Sequence, residues 1–128
     1  MSYHFSKTLD LPFDDAIEKV TAALGEKGFG VLTTIDVKAT LKKKLDVDFR
    51  PYTILGACNP TFAHKALQSE GKIGTMLPCN VVVQDTGDGA VEISAVDPMA
   101  SMQAIDNPDL GAIATEVQGL LKGVIEGL

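Results

Sequence analysis

Apolar and polar positions divide this chain into short stretches of alternation and longer stretches of helical spacing. Tyr3 and Phe5 alternate with polar neighbours between Ser2 and Leu9, which predicts a first strand. Phe13, Ile17, Val20 and Leu24 then recur at helical spacing. Pro12 stands at the start of that run, Asp14 and Asp15 in its first turn, and Gly25, Lys27 and Gly28 at its stop, so a helix is expected there. The uncharged, β-branched run Phe29 to Ile35 predicts a second strand. Asp36 can cap a short amphipathic helix from Val37 to Leu45, with Val37, Leu41 and Leu45 on one face and Lys42, Lys43 and Lys44 outward.

A third strand is expected over Arg50 to Ala57. Asn59-Pro60 joins a favoured capping residue to a favoured first helical residue, so a helix starts there, with Phe62, Ala63, Ala66 and Leu67 apolar. Cys79 to Asp85 and Ala90 to Val96, separated by Thr86-Gly87-Asp88-Gly89, predict a hairpin. Asp97 to Asp106 reads as a loop carrying Pro98, Met99 and Met102. Asn107-Pro108 opens a last helix, whose apolar stripe is Leu110, Ile113, Val117, Leu120, Leu121 and Val124. The order is β-α-β-(α)-β-α-β-β-α. It predicts an α+β domain over 1–128: one mostly antiparallel sheet, with helices packed on one face. The uncovered face suggests pairing with a second copy.

Composition narrows the partners. With 128 residues and 45% apolar positions, a core can form without staples. Aromatics make up only 5% and Trp is missing, so that core must be mostly aliphatic. A formal charge of -6 repels nucleic acid unless a basic stripe intervenes, and Lys42-Lys43-Lys44 point around a helix in different directions. No nucleic-acid partner is expected. No apolar run approaches the roughly 20 residues that a bilayer needs, and the first residues lack the pattern of a secretory signal. No membrane partner is expected, and the expected location is cytoplasmic, where thiols stay reduced.

Candidate chemistry gathers at two cysteine segments, Leu55-Gly56-Ala57-Cys58-Asn59-Pro60 and Leu77-Pro78-Cys79-Asn80. Cys58 precedes a helix start, where backbone N–H groups stabilise a thiolate or a ligand anion. Cys79 opens a strand, and the two thiols approach each other if those strands enter the sheet side by side. The plainer account of both is packing as small hydrophobes. Asn59 is explained by capping alone; Asn80 sits in a β-rich segment where Asn is depleted. Two cysteines cannot build a zinc site of four protein ligands, and no metal site is expected. A set of Cys58, His64 and Cys79 has the ligand number of a catalytic site, but His64 lies beside the apolar face. His4 has no neighbour in sequence to recruit it.

The run Ile54-Leu55-Gly56-Ala57-Cys58-Asn59-Pro60, with Ala63, Leu67 and Leu77-Pro78-Cys79-Asn80-Val81, resembles the domain-of-unknown-function 302 family. Gly28-Phe29 and Asp36-Val37-Lys38 fit the same pattern, so the resemblance covers nearly the whole chain. It implies a small α+β fold found mainly in bacteria and archaea and a homodimer, with no established activity; the cofactor is unknown. It also draws in Asp36 and Lys38, a polar pair that could stand beside a ligand. Their ordinary accounts are a helix cap and an exposed lysine.

The expected function is therefore a homodimeric module binding a small ligand or a partner near the Cys58 helix start, with Cys58, Asn59, Cys79, Asn80, Asp36 and Lys38 as candidate contacts. One alternative is thiol-based redox or metal-dependent activity using Cys58 and Cys79. No base close in sequence and no Cys-x-x-Cys pair supports it. The other is a structural subunit of a larger assembly.

Overall fold

The computed structural model describes residues 2–128. Its elements run β1 (His4–Leu9), α1 (Phe13–Glu26), β2 (Gly30–Asp36), α2 (Val37–Leu45), β3 (Tyr52–Cys58), α3 (Pro60–Ser69), β4 (Cys79–Asp85), β5 (Val91–Val96), α4 (Pro98–Ser101) and α5 (Pro108–Glu126), with a 3-10 turn at Ile73–Met76. The strands form one sheet in the order β1-β5-β4-β3-β2, and every neighbouring pair is antiparallel. This is the α+β architecture expected from the patterning. Two pieces were not expected: the 3-10 turn, and the helix α4 inside the segment read as a loop.

Side-chain parity divides the sheet into a dry face and a wet one. Leu55, Ala57, Cys79, Val81, Val83, Val91, Ile93 and Ala95 are buried against the helices. α1 contributes Ala16, Val20 and Leu24, spaced four apart, and α5 contributes Val117, Leu121, Val124 and Ile125. Each fully buried Leu or Val in this layer stabilises the fold by roughly 1.5–3 kcal/mol. A smaller cluster of Ala66, Ile73 and Leu110, with Leu77 and Met102 against it, seats α3. Leu67, expected in that apolar face, is instead exposed. The other sheet face, hereafter the helix-free face, is covered by none of α1, α3 and α5.

Three turns of the chain use the same device. Asn59, Asp97 and Asn107 each precede a proline and accept a hydrogen bond from a backbone N–H in the first turn of α3, α4 and α5. Asp97 also accepts from Gln118 Nε2 at 3.0 and 3.2 Å, tying α4 to α5. Asn107 Nδ2 donates to Ser69 O at 2.9 Å, tying α5 to the end of α3. These side chains fix helix starts and helix spacing together.

α2 differs from the rest. It connects the adjacent strands β2 and β3 and buries no residue of its own. Leu45 and Val47 are exposed beside it, as are Leu32 and Ile35 on the edge strand β2. A bulge between Val31 and Thr33 shifts the β2–β3 register. Of the apolar face expected for α2, Val37 and Leu41 are half-buried and only Leu45 is exposed. Among the described residues, no helix is long and apolar enough to cross a membrane.

Candidate functional site

The cysteine segments meet because β3 and β4 are neighbours. Ala57 and Cys79 are register partners, which puts Cys58 one step beyond Cys79 at the end of the sheet. Cys58, Cys79 and Asn59 line one crevice with Phe29, Phe62 and Met102, closed over by α3, α4 and α5. Its free volume is about 30 Å³. At roughly 10–15 Å³ per water it holds two or three waters, far below the roughly 300 Å³ at which small-molecule clefts begin.

The thiols differ in setting. Cys58 is half-buried and Cys79 is buried. Burial, and secondarily the charge of Cys58, push the Cys79 thiol up to about 11. Near neutral pH Cys79 therefore keeps its proton and is a poor nucleophile. Asn59 is occupied with structure: Oδ1 accepts from Phe62 N–H and Nδ2 donates to Lys27 O, both at 3.5 Å. A Cβ on Gly28, which has φ +84, would stand 3.1 Å from that Nδ2. The turn before β2 is thus moulded around the Asn59 amide.

The remaining sequence candidates lie elsewhere. Asp36 pairs with Thr53, five residues from Cys58 along β3, roughly 16 Å at strand spacing. Its Oδ1 accepts from Ala39 N–H at 2.9 Å, the capping bond of α2, and Lys38 is exposed on that helix. His64 is exposed on α3. Among the described residues, no three His, Cys, Asp or Glu side chains come together to hold a metal. Asn80 follows Cys79, but strand parity turns it to the opposite face from Cys79, where it does not line the thiol crevice.

On that face Asn80 lines a second and larger depression, about 280 Å³, with Tyr3, His4, Tyr52, Gln84, Glu92 and Ser94. Its floor is the wet parity of β1, β3, β4 and β5. At one end the Arg50 guanidinium packs over Phe49 and Tyr52, with centroid distances of 4.5 and 5.5 Å. It donates from Nε and Nη2 to Gln84 Oε1 at 3.1 and 3.0 Å, and Gln84 Nε2 donates to Glu92 Oε1 at 3.4 Å. At the other end His4 Nδ1 lies 2.7 Å from Ser6 Oγ, which lies 2.8 Å from Ser94 Oγ. His4 does have partners, supplied by its own strand and by β5. Donors and acceptors thus converge over an aromatic-flanked floor, an arrangement suited to a small polar molecule. The sequence signal for it was the shared parity of Asn80 with Gln84 and of Glu92 with Ser94, legible only once the strand order is known.

The family model described as "Domain of unknown function DUF302" matches residues 5–128. A crystal structure of an uncharacterized conserved DUF302 protein from Bacillus stearothermophilus superposes with a TM-score of 0.90 at 28% identity, covering 98% of each chain. An uncharacterized protein of Aquifex aeolicus (strain VF5) is 25% identical over 87 residues, 68% of this chain and 54% of that protein. The chain thus spans about half the length of this curated relative.

Proposed function

This chain belongs to the DUF302 family, and from that premise we propose that it acts as a homodimeric binding module whose small polar ligand lies on the helix-free face of the sheet. One contrast carries this reading: the helix-free depression has about 280 Å³, against about 30 Å³ at the thiols. The former approaches the roughly 300 Å³ at which small-molecule clefts begin. Asn80, Gln84, Glu92, Ser94 and His4 supply polar contacts, and Tyr3 and Tyr52 supply flat apolar flanks. Of the six residues expected as contacts, Asn80 lies in this depression.

The second copy fits elsewhere on the molecule. β2 is an edge strand that exposes Leu32 and Ile35, and Leu45 and Val47 are exposed at the end of α2. A twofold through β2 would pair its open backbone and cover those side chains. The depression draws no residue from β2, so both surfaces are usable at once.

The test is thermal unfolding of the wild-type chain and an Asn80→Ala, Glu92→Ala variant against a panel of sugars, amino acids and nucleosides. A ligand at a hundredfold excess over its Kd stabilises by about 2.7 kcal/mol. The expected result is at least one compound that raises the wild-type melting temperature and leaves the variant unmoved. Equal responses of the two proteins to every compound would place any binding outside the depression.

A further inference from the structure

The thiol crevice has little room for an organic ligand, yet three sulfur-bearing residues from three separate parts of the chain line it: Cys58 at the end of β3, Cys79 at the start of β4, and Met102 just after α4. We propose that this crevice is a binding site for a single soft monovalent metal ion, Cu(I), held by the Cys58 and Cys79 thiolates and the Met102 thioether.

Chemistry selects the ion. Thiolate and thioether ligands are soft and favour Cu(I) over hard cations, which need carboxylate or carbonyl oxygens. The crevice lining contains no carboxylate. Structural zinc takes four protein ligands, and the crevice offers three sulfurs. A free volume of about 30 Å³ accommodates one bare ion without moving a helix. Met102 is unbranched with three rotatable bonds, so its sulfur can close on an ion held by the two cysteines. Each thiol releases one proton as its sulfur binds, and Cu(I) with two thiolates carries one net negative charge. The N-terminus of the ten-residue helix α3, capped by Asn59, is adjacent and favours that charge.

The experiment is anaerobic titration of the reduced full-length chain with Cu(I), in competition with a chromogenic Cu(I) chelator. One ion per chain is expected, with both cysteines lost together to a thiol reagent once it is loaded. Cys58→Ser, at a half-buried position, should abolish the tight site. Met102→Leu, which keeps the packing volume, should keep the stoichiometry and weaken affinity several-fold. Two ions per chain, one on each cysteine, would overturn the proposal. So would an affinity unchanged by Met102→Leu, or equal affinity of the chain unfolded in urea.

Discussion

Gly56 shows how closely the helix-free face is fitted where β2, β3 and β4 meet. A Cβ at this position would collide with Thr33 Oγ1 and stand 2.7 Å from Pro78 Cγ. Overpacking of this kind costs about 1–3 kcal/mol. Gly56→Ala is therefore expected to lower stability in urea by that amount, and Thr33→Ala in the same chain to restore part of it. The remainder belongs to Pro78, which Thr33→Ala leaves in place. Cys79 makes a second prediction at this scale. Its folded pKa of about 11 lies above the ordinary 9.0, so the folded chain holds a proton that the unfolded chain releases between those values. The stabilisation is complete below pH 9 and lost as pH rises towards 11, by up to about 3 kcal/mol. Denaturant midpoints should fall across that window, less steeply in Cys79→Ala; equal slopes would remove the buried thiol as the cause. Packing of Cys79 as a small hydrophobe is the plainer reading of the sequence and it is buried, whereas the close fit at Gly56 has no sequence signal. The tightness of Gly56 and the depth of Cys79 both come from neighbours brought in by strand pairing.

At the scale of elements, local signals were legible wherever the chain states its own boundaries. Asn59-Pro60 and Asn107-Pro108 marked helix starts because cap and proline act on the next turn alone. Asp97-Pro98 carries the same signal and starts the same kind of element, α4, though its helix is only four residues long. A helix that short has no periodic stripe, so the cap was its sole trace in a segment read as a loop. The caps are also unequal in what they hold. Asp97→Ala removes a cap together with both hydrogen bonds from Gln118, and should cost about 1–2 kcal/mol of global stability in chemical denaturation. Asp36→Ala removes the cap of a helix that buries no residue fully. It should leave the global midpoint within about 0.5 kcal/mol while amide exchange in α2 speeds up, because that helix opens without disturbing the core. An equal loss in the two variants would mean that α2 is integrated with the fold in solution.

For the molecule as a whole, patterning gave the number and kind of strands but not their order, and the functional surface follows from the order. Sequence adjacency groups Asn80 with the thiols, whereas strand parity turns it away from Cys79 and into the larger depression. Asp36 and Lys38 were grouped with the thiols by resemblance and lie near the other end of β3. The uncovered edge leads to the prediction at this scale. Leu32→Glu with Ile35→Glu, both at exposed positions, should convert the proposed dimer to a monomer in sedimentation with its circular dichroism unchanged. A wild-type chain that sediments as a monomer at high concentration would remove the dimer. The strand order has one more consequence, in the time domain. β1 pairs only with β5, His4 opposite Val96 and Leu9 opposite Val91, so the first strand made closes the sheet with the last. During synthesis β1 must wait while β2, β3 and β4 emerge, and its docking is the contact of longest loop closure in the sheet. The nascent chain thus carries β1 without its sheet partner until residue 96 is clear of the ribosome, and the sheet is completed by the strand of it that is made first.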